Sequence, residues 1–161
     1  MRFALRGAVG LLFITFGQMK FFDSILLGNH AVSLPAGPEG FAQYLDAVGI
    51  PYPLLNAYMV CLVEMLCGLG LLLSPFLPYA AILTRLCALP LMMDMVVATI
   101  TVGLRNALGI PVQIHGVAVT AQPWRLPLEF SLMVLALFFL WRPVPRRAPA
   151  VAVAPEGSSS G

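Results

Sequence analysis

Residues 53–103 read PLLNAYMVCLVEMLCGLGLLLSPFLPYAAILTRLCALPLMMDMVVATITVG, two apolar runs separated by the break Ser74-Pro75-Phe76-Leu77-Pro78. An α-helix rises about 1.5 Å per residue, so about 20 apolar residues cross the roughly 30 Å of hydrocarbon in a bilayer. The runs from about Pro53 to Leu73 and from about Tyr79 to Gly103 both reach that length. So short a connection between them forces the two helices to pack antiparallel.

The pattern continues outward from this pair. A run from about Phe3 to Phe22 precedes it, with Arg6 near its start and Lys20 near its end. Another, at 126–141, follows it and opens near Pro127, where the missing N–H costs nothing in a first helical turn. Trp124 and Trp141 bracket this last run as interfacial anchors would. The expected fold is therefore an all-α membrane protein, an antiparallel bundle of four transmembrane helices occupying residues 1–142. Composition agrees. Of the 161 residues, 60% are hydrophobic and 10% charged, against about 25% charged in ordinary soluble chains. Mean hydropathy is +0.91. A net charge of +2 with scattered Arg residues makes no basic patch, which excludes nucleic acid as a partner.

Between the first two runs, Glu39 to Gly49 sets Phe41, Tyr44, Leu45 and Val48 at helical spacing. This predicts a short amphipathic helix lying on the outer end of the bundle. Both long loops contain Gly-Ile-Pro, at Gly49–Pro51 and Gly109–Pro111, a hint of duplicated two-helix units. Arg2, Arg6, Arg142, Arg146 and Arg147 fall on one side of a four-span arrangement with Arg85 near it, while Lys20, Arg105 and Arg125 lie toward the other. By the positive-inside rule both termini are cytoplasmic, in an inner or plasma membrane. The start could also be read as a signal peptide, but Lys20-Phe21-Phe22-Asp23 offers no small-residue cleavage site, which favours a retained helix. The Pro-, Ala- and Val-rich tail at 143–161 has no means of forming a core, and disorder is expected there.

Arg6, Gly17-Gln18-Met19-Lys20, Phe41-x-x-Tyr44-Leu45 followed by Gly49-Ile50-Pro51, Glu64-x-x-x-Gly68-x-Gly70-Leu71-Leu72-Leu73 and Ala80-Ala81 occur in that order. In this order and spacing the chain resembles the DoxX family of small four-helix membrane proteins, in register over roughly residues 3 to 103. Glu129 looks like an acidic residue that many members carry in the fourth helix. The chain departs from the pattern at Ser74-Pro75, where a Gly-centred turn and a basic residue are usual, and at Asp94. The resemblance implies association with membrane redox systems, including a small subunit of thiosulfate:quinone oxidoreductase and partners of thiol- or superoxide-handling enzymes. The sequence itself leaves a homo-oligomer open.

Ionisable residues within the runs carry the chemistry. A charge at the bilayer centre costs at least about 2.5 kcal/mol on insertion scales, so each should face the interior with a partner or be neutral. Counting depth from the Ser74–Pro78 break places Glu64 and Arg85 about one turn apart, with Arg6 entering from the same side. That predicts an inner layer of Arg6, Glu64 and Arg85, either an ion pair that fixes registry or a proton-exchanging carboxylate. Lys20, Gln18, Asp94 and Glu129 approach similar depths in the outer half, with Arg125 and His115 nearby. This outer layer could hold a quinone head group, Asp94 or Glu129 exchanging its proton and Lys20 holding a carbonyl.

Pro90 removes a backbone bond in mid-run and is expected to kink it beside Met92, Met93, Asp94 and Met95. Such a Met cluster suits soft copper ligation but is more often flexible packing. His30 and His115 have no paired spacing, so no metal is expected, and nothing resembles a phosphate loop, so no nucleotide is expected either. Gly7, Gly10, Gly17, Gly68 and Gly70 mark close helix packing. Cys61, Cys67 and Cys87 form no C-x-x-C and read as small buried hydrophobes, though Cys67 and Cys87 fall at similar depth and could approach one another. The functional expectation is a quinone-contacting subunit of a redox assembly that docks a catalytic partner. The alternatives are a non-catalytic anchor or assembly factor, and a small transporter or proton pathway.

Overall fold

The computed structural model describes residues 2–22, 24–26, 33–119 and 125–141. The expected tail, His30 and Trp124 lie outside them. The chain is mostly helical. Helix α1 is Arg2–Phe22, α2 is Pro38–Ala47 and α3 is Pro53–Leu73; a 3-10 turn, Ser74–Phe76, then leads to α4, Ala80–Ala98. A π-helical stretch, Thr99–Leu104, prolongs α4 into the short α5, Arg105–Ala107, and the last helix is α6, Arg125–Trp141. Proline stands in the first turn of both α2 and α3, where its lost donor is harmless.

The all-α expectation needs one correction. Strands β1, Ser24–Leu26, and β2, Ser33–Ala36, form one antiparallel pair, and β3, Val112–Ile114, with β4, Val117–Val119, forms another. Both belong to the loops beyond the helix ends, where backbone groups must be paired locally once a helix stops. The β3–β4 turn is carried by His115 and Gly116, both in the left-handed region.

Helix α1 packs on α3, α3 on α4 and α4 on α6, while α2 lies against α3. The α1–α3 seam is antiparallel: Gly10 backs onto the Gly68 carbonyl and Gly17 onto Cys61 and Glu64. An added Cβ on Gly10 would sit 2.6 Å from that carbonyl oxygen, so only glycine permits this approach. Side chains of all four long helices meet in one core, which includes Phe13, Leu71, Leu91 and Leu132. A second core, at the end away from the Ser74–Tyr79 turn, joins Tyr44 and Leu45 of α2 to Ala57, Val102, Val112 and Ile114. This end is the cap.

The two Gly-Ile-Pro motifs end helices in the same way. Gly49 and Gly109 both adopt positive φ, and the following amides, Ile50 and Ile110, return to the carbonyls of Leu45 and Arg105. Glycine is the residue that takes this closing turn without strain.

Polarity is inverted relative to a water-soluble bundle. Leu62, Leu66, Leu69 and Leu73 of α3 and Ile82, Leu86, Leu89, Met93 and Val97 of α4 are exposed, whereas Glu64, Ser74 and Thr84 are buried. Pro53–Phe76 and Ala80–Leu104 are each long and apolar enough to cross a membrane. Apolar surface this continuous on the outside of a fold calls for lipid as its solvent.

Candidate functional site

Glu64 sits in the middle of α3 and has no exposed surface. Its Oε1 accepts a hydrogen bond and ion pair from Lys20 Nζ at 2.7 Å. Lys20 lies near the end of α1, and its ammonium also stands 5.2 Å from the centre of the Phe41 ring on α2. One cation thus links three helices. A cation over an aromatic face gains quadrupole attraction that strengthens once water is excluded.

The ion pair differs from the one expected. Glu64 does not pair with Arg85, which is exposed on α4. Arg6 is buried but lies about 21 Å along α1 from Lys20 at 1.5 Å per residue. The inner layer of Arg6, Glu64 and Arg85 therefore does not assemble. Helix offset is the reason. Gly7 faces Leu72, Gly17 faces Glu64 and Phe21 meets Tyr58, so α3 extends outward past the end of α1 by more than a turn. Lys20, close to its helix end, is consequently level with the middle of α3. Arg85 instead points outward, where a long side chain can carry its charge to the membrane surface.

Asp94 completes the centre. Its carboxyl meets that of Glu64 and lies within electrostatic reach of Lys20 and Glu129. Cys61, fully buried one turn from Glu64, feels the same three groups, Lys20, Glu64 and Asp94. Nothing in the sequence marked Cys61 for this position; the glycine seam, which fixes the rotation of α3 against α1, could have revealed it.

Glu129 is buried on α6 beside Gly103, where an added Cβ would come within 3.3 Å of its Oε2. Gly103 belongs to the π-helical stretch, the wide helical turn that recurs at functional sites. Gln18 does not join the set, since it is exposed on α1. His115 is also exposed, and its Nε2 pairs with Gln43 Oε1 at 3.1 Å.

Among the described residues, several buried polar atoms at this end have no hydrogen-bond partner within the protein: Glu64 Oε2, Asp94 Oδ2, Thr99 Oγ1 and Arg105 Nε. A buried polar atom left unsatisfied costs about 1–3 kcal/mol. Their run from the middle of α3 through Asp94 of α4 to the π-helical stretch and α5 marks a place suited to a polar guest, water or ligand. Among the described residues no group of three His, Cys, Asp or Glu side chains is placed to hold a metal ion.

A model of the DoxX family matches residues 1–104. The match takes in Lys20, Glu64 and Asp94 and ends before Glu129. No curated protein and no solved structure gives a significant match.

Proposed function

Because the chain belongs to the DoxX family of membrane proteins, we propose that it is the membrane subunit of a redox assembly, contacting the quinone pool and docking a catalytic partner. In this reading α1, α3, α4 and α6 all span the bilayer as an antiparallel bundle, both termini are cytoplasmic, and the cap faces outward. The observation that carries it is the group formed by buried Glu64 with half-buried Lys20 and Asp94, with its unsatisfied carboxyl oxygens.

The residues suit a quinone head group on chemical grounds. A quinone supplies two carbonyl oxygens that take up protons as the ring is reduced. Asp94, beside Glu64 and within reach of Lys20, is the group to give one up and regain it. Glu129, toward the cap, relays protons between Asp94 and the surface. Lys20 holds negative charge on Glu64 and steadies any oxygen drawn beside it. The apolar faces of α4 and α6 exclude bulk water and let a lipid-soluble ligand approach sideways.

The test is binding of a short-chain quinone analogue to the purified chain in lipid nanodiscs, followed by fluorescence quenching. Asp94→Asn and Glu129→Gln should each weaken binding at least about tenfold, or about 1.4 kcal/mol, with the thermal unfolding midpoint retained. Unchanged affinity in both variants removes the quinone reading. One observation favours a second reading. The Lys20–Glu64 pair ties α1 to α3 beside a glycine seam, as a device fixing registry in a non-catalytic anchor would. Saturable quinone binding would not be found in that case.

A further inference from the structure

Cys67 and Cys87 play no part in the reading above, and their placement is specific. Cys67 is on α3 and Cys87 on α4, helices joined by the short Ser74–Tyr79 turn. Both are free thiols and they are side-chain partners across the seam. Gly70, one turn along α3 from Cys67, makes room for this. An added Cβ there would collide with Cys87 Sγ, so the glycine lets the sulfur reach the α3 backbone. Cys87 is buried while Cys67 keeps part of its surface exposed on the apolar exterior. One thiol of the pair is thus open to the lipid phase and the other is held behind it.

We propose that Cys67 and Cys87 are a reversible dithiol–disulfide pair that staples α3 to α4, oxidised by a membrane-permeant acceptor of two electrons and two protons. Two S–H bonds break and one S–S bond forms; both electrons and both protons pass to the acceptor. A thiol or dithiol reductant reverses the step. The staple acts on the carboxyl group through registry. Cys67 lies one turn from Glu64 on α3, and Cys87 two turns from Asp94 on α4, at about 1.5 Å of rise per residue. Locking the two helices fixes the Glu64–Asp94 contact. Cys61 is excluded from the pair because it lies nearly two turns along α3 from Cys67, at about 1.5 Å per residue, where its backbone meets Gly17 of α1. The proposal stands on the thiol geometry and holds whether or not the carboxyl group binds a quinone.

The experiment uses the full chain in nanodiscs, reduced, freed of reductant under anaerobic conditions and exposed to the membrane-permeant azo oxidant diamide. The sample is then denatured, alkylated and mapped by mass spectrometry. The expected result is loss of two of the three alkylatable thiols, a peptide link between positions 67 and 87, and full return of labelling after dithiothreitol. Cys61→Ser should leave the link intact, whereas Cys67→Ser and Cys87→Ser should each abolish it. The wild-type map alone is decisive should a variant fail to fold. Labelling of all three thiols after oxidant, or a link that includes Cys61, overturns the proposal.

Discussion

At the scale of single residues, the protein depends on a few contacts that tolerate no substitute. Gly10 and Gly68 place their backbones against each other so closely that a Cβ on either would meet the other's carbonyl oxygen at 2.6 or 2.7 Å. Backbone cannot yield as a flexible side chain can, so Gly10→Ala should cost about 1–3 kcal/mol. Gly7→Ala, whose Cβ would only touch Leu72 at 3.7 Å, should be near neutral. Unfolding in mild detergent would show the contrast, and equal midpoints for the two variants would deny the tight seam. The Lys20–Glu64 pair makes a similar demand of a different kind. Lys20→Met leaves a carboxylate in the core without its cation, which typically costs about 3 kcal/mol or more. Adding Glu64→Gln to it should recover part of that loss, because the buried charge goes as well. A double-mutant cycle reads the coupling directly, and strictly additive losses would mean that the pair does not operate in the folded protein.

At the scale of elements, the sequence disclosed helices better than faces. The run at 53–73 coincides with α3, and those at 3–22 and 126–141 agree with α1 and α6 to within a residue at either end. The amphipathic spacing of Phe41, Tyr44 and Leu45 located α2. Hydrophobic length sets these limits, and length is written plainly in the chain. Rotation about the axis is not. Depth counting from the Ser74–Pro78 break set Glu64 level with Arg85 but could not tell which face each presents; Arg85 is exposed, and the stagger of α1 and α3, fixed by glycine contacts, gave Glu64 to Lys20 instead. The hairpins escaped notice because their strands are only three or four residues long, too short for alternation to register. The cap is a unit with its own core, and that yields a separate prediction. Ile114→Ala, at a nearly fully buried position, should cost about 2 kcal/mol locally. Hydrogen exchange should then quicken in α2 and β3 while the amides of α3 and α4 stay protected. Uniform quickening throughout would show that cap and bundle unfold as one.

At the scale of the whole molecule, the fold encloses charge and displays hydrocarbon. Lipid on the outside supplies the solvent for the leucines of α3 and α4, and the interior collects what lipid rejects. Glu64, Asp94 and Lys20 are held there by three different helices, so the group exists only in the assembled bundle. That arrangement suits a site entered from the membrane, in which a small polar head is drawn among carboxyl groups and its tail stays in lipid. The most direct measurement is photolabelling of the full chain in native membranes with an azidoquinone, followed by mapping of the modified peptide. Saturable labelling is expected between Asp94 of α4 and Gly103 of the π-helical stretch or on α6 around Glu129, competed by unlabelled quinone. Labelling confined to the exposed lipid-facing residues, undiminished by competitor, would contradict it.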